Sequence, residues 1–211
     1  MKNVFFIALA TVTLAVTPSF GGSLAASATG GVLSANFHFT VGWSFTVNSA
    51  VTVEALAFFD AGNDGLHDAH DIAIWRSDTT LVTSTTIPAG TSAVLDSGYR
   101  EVAISPVLLN PGDYVIGAYL PLAVDTWHFG SGTVVTTIPQ ITFGHDQFVA
   151  GTSLAFPNSS NLNPGYFGPS FFVQDAVPEP SAGVLGLTGL GLVMAGLIRR
   201  RRPAGFACPG K

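Results

Sequence analysis

The sequence predicts an all-β fold: a single two-sheet β-sandwich, jelly-roll-like or immunoglobulin-like, flanked by an apolar segment at either end. Three observations carry this. Between Phe37 and Phe172 no apolar stripe recurs at the helical period. Short runs rich in Val, Ile, Thr and aromatic residues fill that region instead. Turn signals punctuate the runs at Pro88-Ala89-Gly90, Asp96-Ser97-Gly98 and Asn110-Pro111-Gly112.

Taken in order, the expected strands are 42–47, 51–60, 71–76, 81–87, 100–109, 113–119, 134–138 and 147–154. In 51–60, Val53, Ala55, Ala57 and Phe59 share one face, with Thr52 and Glu54 on the other. In 100–105, Val102 and Ile104 alternate with Glu101 and Ser105. Eight short strands at this spacing favour a sandwich, with a closed barrel as the alternative. The segment 156–171 is rich in Pro, Asn, Ser and Gly. It reads as a loop leading to a last short strand or linker.

Residues 1–28 read as a secretory signal peptide. Lys2 supplies the positive start, 4–16 an uncharged apolar core, and Pro18 a helix break. Ala26-Ser27-Ala28 offers a cleavage site, with Ser23-Leu24-Ala25 competing. The exported domain is then 29–176. At the other end, 181–198 is apolar and uncharged; at about 1.5 Å per residue it reaches roughly 27 Å, enough for a thin bilayer core. Arg199, Arg200, Arg201 and Arg202 follow and hold that end cytoplasmic, with 203–211 as a cytoplasmic tail. Pro178, Glu179 and Pro180 precede the run.

The Pro-Glu-Pro motif, Gly-rich apolar helix and arginine cluster of 177–202 resemble the PEP-CTERM sorting signal of Gram-negative bacteria. The resemblance implies recognition by exosortase, a membrane cysteine transpeptidase, in a host that makes exopolysaccharide. The nine residues after the arginines run past the point where members of that family usually stop. A second resemblance lies within 45–119, carried by Trp43-Ser44-Phe45-Thr46-Val47, Ala57-Phe58-Phe59-Asp60, Asp64-Gly65-Leu66, His70, Ile74-Trp75 and Asn110-Pro111-Gly112-Asp113-Tyr114-Val115-Ile116-Gly117. These are similar to a domain of unknown function that recurs in exported bacterial proteins. It implies a β-sandwich and brings no activity with it.

Six of the eight basic residues lie in the two ends. The region 29–177 keeps only Arg76 and Arg100 against twelve acidic residues, a formal charge of −10. Such a surface repels nucleic acid and anionic lipid, and suits divalent cations or neutral glycans. The only cysteine, Cys208, lies in the tail, so the domain folds without disulfides.

The densest polar stretch is 60–71, DAGNDGLHDAHD. With Asp60 at position 1, Asp64, Gly65, Asp68 and Asp71 fall at positions 5, 6, 9 and 12 of a calcium-loop spacing. Gly62 at position 3 and the lack of flanking helices argue against an EF-hand. A looser calcium site would draw on Asp60, Asn63, Asp64, Asp68 and Asp71. His67 and His70 beside Asp68 and Asp71 offer a zinc alternative, and a solvated acidic hairpin loop needs no metal at all. For glycan binding, Trp127 and Tyr166 are the candidate loop aromatics. No G-x-S-x-G or H-E-x-x-H motif occurs, and Glu54 and Glu101 are expected at solvent-facing strand positions. The expected function is non-catalytic: an exported surface or exopolysaccharide-matrix protein sorted by an exosortase-like enzyme. The alternatives are a glycan-binding module, with or without calcium, and more distantly a glycan hydrolase.

Overall fold

The computed structural model describes residues 22–161 and 165–174. The signal-peptide core, Pro178-Glu179-Pro180, the expected membrane helix 181–198, the arginine cluster and the 203–211 tail lie outside the described residues. Within them the chain is all-β, as expected. Its strands are β1 (Ser23–Leu24), β2 (Ala26–Ser34), β3 (Phe39–Val47), β4 (Val51–Phe59), β5 (His70–Arg76) and β6 (Leu81–Ile87). They continue with β7 (Val94–Asp96), β8 (Tyr99–Leu109), β9 (Gly112–Leu120), β10 (Trp127–Thr137), β11 (Ile141–Ala150) and β12 (Pro169–Val173). One five-stranded sheet runs β1-β12-β4-β8-β7 and a second runs β11-β3-β9-β5-β6, while β10 and β2 form a two-stranded ribbon. The result is β-sandwich-like, with all pairings antiparallel.

Period-two alternation builds the core from β3. Val41, Trp43, Phe45 and Val47 are buried, whereas Ser44 is half-buried and Thr46 exposed. Trp43 stacks on Phe171 of the opposite sheet, with ring centroids 6.0 Å apart and planes 13° apart. Its indole N–H donates to the Pro169 carbonyl at 2.8 Å. Phe45 meets the same Phe171 at 5.2 Å. At Gly42 the backbones of β3 and β9 come so close that a Cβ would collide with the Ile116 carbonyl oxygen. The Asp96-Ser97-Gly98 signal is a tight two-residue hairpin: Ser97 and Gly98 both take positive φ, 52° and 83°, as a type I′ turn requires. The ribbon packs Ala26, Ala28 and Trp127 into the core and touches both β12 and β11.

One expectation needs correction. The face expected for β4 is broken by a bulge: relative to β12, Glu54 is an extra residue between Val53 and Ala55. Val51 and Val53 point into the main core, but beyond the bulge Leu56 and Phe58 take over that role. Ala55, Ala57 and Phe59 face the other way and join Tyr99, Phe172 and Leu24 in a second cluster. Residues expected in the leader take part in strands as well: Ser23 and Leu24 form β1, and Ala26 to Ala28 begin β2. Expected strand 134–138 is the end of a longer β10, and 147–154 overlaps only the second half of β11.

Candidate functional site

The acidic loop 60–71 closes on protein groups. Asp60, 2% exposed, accepts from Arg100 Nε at 2.7 Å and from the Gly65 N–H at 3.0 Å. Arg100 comes from β8, across the strand pair, and its other nitrogens donate to the carbonyls of Ala93 and Asn63 at 3.2 and 3.1 Å. Asn63 holds φ 61° and Gly65 φ 109°, the left-handed conformations that Asn and Gly tolerate. The loop is thus wrapped around a guanidinium, much as it was expected to wrap a cation. Asn63 contributes a backbone oxygen, and the Asp60 carboxylate is already neutralised.

The far half of the loop is tied to Asp125, a residue the sequence reading missed. Its carboxylate accepts the N–H groups of His67 and Asp68 at 2.8 and 3.0 Å, and it meets His70 Nε2 at 2.8 Å. His70 is fully buried against Phe58, with ring centroids 4.0 Å apart. Its Nδ1 faces the Tyr119 carbonyl at 3.0 Å, so both ring nitrogens point at oxygen atoms. Partial burial works to raise the Asp125 carboxyl, but the bond from His70 and those from the two N–H groups hold it below the usual range. That pairing therefore supports the fold above the ordinary carboxylate pKa and fades as pH falls through the lowered one.

The remaining candidates disperse. Asp71 stands exposed on β5 and accepts from the Thr86 hydroxyl at 2.6 Å. Asp68 Oδ2 lies 3.4 Å from His67 Nδ1 without a hydrogen bond. Asp64 lines an open depression of about 370 Å³ together with Asp60, His67 and Asp125. Among the described residues no group of three or more His, Cys, Asp or Glu is arranged to hold a metal ion. The candidate metal ligands are thus drawn to different protein partners: Asp60 to Arg100, His70 to Asp125 and Asp71 to Thr86. The aromatic pair is brought together by packing, with ring centroids 6.2 Å apart. Trp127 is 1% exposed inside the core, and half-buried Tyr166 packs on Trp127, Phe129 and Phe148. A loop signal on either side of an aromatic residue did not mean that the ring faces water.

A different surface offers the better site. The outward side of β3, β9 and β11 forms an open groove of about 440 Å³. Ser44, Thr46 and Asp113 line its floor, His145 and Gln147 one wall, and Phe156 and Asn158 the rim. Its shape comes from a bulge in β11, where the register with β3 shifts between Phe143 and Asp146. Ser44 pins that bulge, with its hydroxyl accepting from the His145 N–H at 3.1 Å and donating to the His145 carbonyl at 3.3 Å. Thr46 donates to Asp113 at 2.7 Å across the strand pair. With its amide oriented for donation, Gln147 donates to the Pro157 carbonyl at 2.8 Å and so holds the rim loop. Phe156 stands edge-on to Trp75 at 5.9 Å. Hydroxyl, amide and carboxylate groups beside one apolar ring can exchange hydrogen bonds with a polyol and pack its C–H surface.

Glu101 also departs from expectation: it is 7% exposed rather than solvent-facing. Burial pushes its carboxyl above the usual range, and Asp96 and Glu54 add repulsion. Its contribution to stability is therefore full below the ordinary glutamate pKa and is lost as pH rises through the raised one. Glu101→Gln is expected to raise the melting temperature at pH 7, with the gain vanishing below about pH 4, in thermal melts across pH. Arg100→Met should cost about 3–5 kcal/mol in denaturant unfolding, because it leaves the buried Asp60 carboxylate unpaired. Adding Asp60→Asn to Arg100→Met should recover part of that loss.

No sequence among curated proteins matches the chain. A family model does match, over residues 26–168, from the second strand to the turn before the last. The chain belongs to the family described as Domain of unknown function (DUF4082).

Proposed function

We propose that this is an exported, non-catalytic β-sandwich protein of the cell surface or exopolysaccharide matrix. It is held first in the inner membrane by 181–198 and then sorted by an exosortase-like enzyme at Pro178-Glu179-Pro180. The observation that carries the reading is the agreement of the two ends. A signal-peptide pattern precedes the domain, and a Pro-Glu-Pro motif, apolar run and four arginines follow it. A disulfide-free acidic domain between them, whose buried charges serve the fold as Asp60–Arg100 and His70–Asp125, suits a presented module rather than a reaction centre. The test is the intact mass of the protein recovered from a host that carries exosortase. The expected mass lacks 181–211, and a mass that still includes Arg199 to Lys211 contradicts sorting.

A second reading gives the domain a ligand, and the groove on β3, β9 and β11 favours it. Its polar floor and the Phe156 rim fit a neutral glycan, while the surplus of carboxylates on the domain disfavours acidic polymers. Co-sedimentation with purified exopolysaccharide tests this reading. Binding is expected to survive chelation and to weaken about tenfold in the Thr46→Ala, Asn158→Ala double variant, equivalent to about 1.4 kcal/mol. Binding lost on chelation would return attention to the 60–71 loop, and no binding at all would end the glycan reading.

A further inference from the structure

The first described residues are structural, and that bears on where the leader ends. Ser23 and Leu24 pair with Val173 and Phe172 at the edge of the first sheet. Ala25 is 0% exposed; its N–H donates to the Phe171 carbonyl at 2.8 Å, and its own carbonyl accepts from the Ile138 N–H at 3.1 Å. The Ala26 carbonyl accepts from the Ser170 hydroxyl at 2.7 Å. Ala26, Ser27 and Ala28 pair in register with Thr137, Thr136 and Val135. Even Gly22 is fitted to its place, since a Cβ there would lie 2.7 Å from both the Val173 carbonyl oxygen and the Glu54 carboxylate.

Both cleavage sites that the sequence offers first would damage this arrangement. A cut after Ala28 removes β1 and three residues of β2. It would leave the Phe171 carbonyl, the Ile138 N–H and the Ser170 hydroxyl without these partners in a buried region. A cut after Ala25 still removes β1 and the doubly bonded Ala25. Small alanines at these positions suit close packing in the core, and the same smallness makes them look like a cleavage motif. The family match itself starts at Ala26, inside β2.

We propose that the leader is cleaved between Gly21 and Gly22, after Ser19-Phe20-Gly21, so that the mature chain begins at Gly22. The triplet has small residues at the first and third positions, and it follows the apolar core 4–16 and Pro18 at the spacing a leader requires. The step is hydrolysis by a signal peptidase. Water adds to the Gly21 carbonyl, the C–N bond breaks, and Gly21 leaves as a carboxylate while the Gly22 nitrogen takes both protons of the water and becomes the new ammonium terminus. A mature chain cut there keeps every pairing of β1 and β2. This inference rests on the export reading.

The experiment expresses the full chain in a Gram-negative host, isolates the envelope and secreted fractions, and sequences the amino terminus. The expected terminus is Gly22, and Gly21→Leu should accumulate uncut precursor because a bulky residue blocks the position before the scissile bond. A terminus at Ala26 or Thr29, or normal maturation of Gly21→Leu, would overturn the assignment while leaving export intact. A chain that keeps Met1 and stays in the cytoplasm would overturn both, and the two failures are told apart by the terminus found.

Discussion

Trp43 lies flat on Phe171 across the gap between the two sheets while its indole N–H reaches the Pro169 carbonyl on the same opposing strand. A single residue thereby fixes both the spacing and the lateral register of the sandwich. Phe45, two residues on, closes a triangle of rings, 5.1 Å from Trp43 and 5.2 Å from Phe171. Period-two geometry then dictates what β3 does on its outer side: Ser44 and Thr46 must face away from the core. They become the pin of the β11 bulge and part of the groove floor. Core and candidate binding surface are two faces of one strand. The strand that receives Trp43, β12, is also the one on which β1 pairs, so the N-terminal segment is anchored to the same contact.

The charged residues follow a different logic. In a domain with two basic residues, Arg100 is placed where its charge matters most, under a loop of carboxylates and carbonyls. A buried pair of this kind adds little net stability compared with an apolar substitute, but breaking it is costly. Its value is conformational: it holds Asn63 and Gly65 in left-handed geometry and closes a tight loop. His70 and Asp125 do the same from the other side, and the shift of Asp125 below the usual range records that engagement.

Much of the fold was legible in the sequence because strand patterning and turn chemistry are local. Asp96-Ser97-Gly98 announced its hairpin, and the aromatic and β-branched run 42–47 announced β3. The bulge at Glu54 was not legible, since a single extra residue leaves no mark in a run where Ala55, Leu56, Ala57 and Phe58 are all apolar on both faces. β1 and β2 were hidden by a competing pattern: an alanine-rich stretch after an apolar segment reads as a leader until its neighbours are known. The 60–71 loop was recognised as a cation-wrapping sequence, and the charge on its Asp60 is Arg100, some forty residues away in sequence and close only in space. Trp127 and Glu101 were misplaced for one reason: flanking turn residues and strand alternation say nothing of what will pack over a side chain from elsewhere in the chain.

The proposed glycan reading puts its ligand on the outer face of β3, β9 and β11, apart from a 60–71 loop tied to Arg100 and Asp125. Backbone amide shifts of the labelled protein, followed while oligosaccharide fragments of the exopolysaccharide are titrated in, test that division most directly. The account predicts saturable shifts at Thr46, Asp113, His145 and Asn158, with 60–71 unmoved. Shifts centred on 60–71, or none at the groove at saturating glycan, would contradict it.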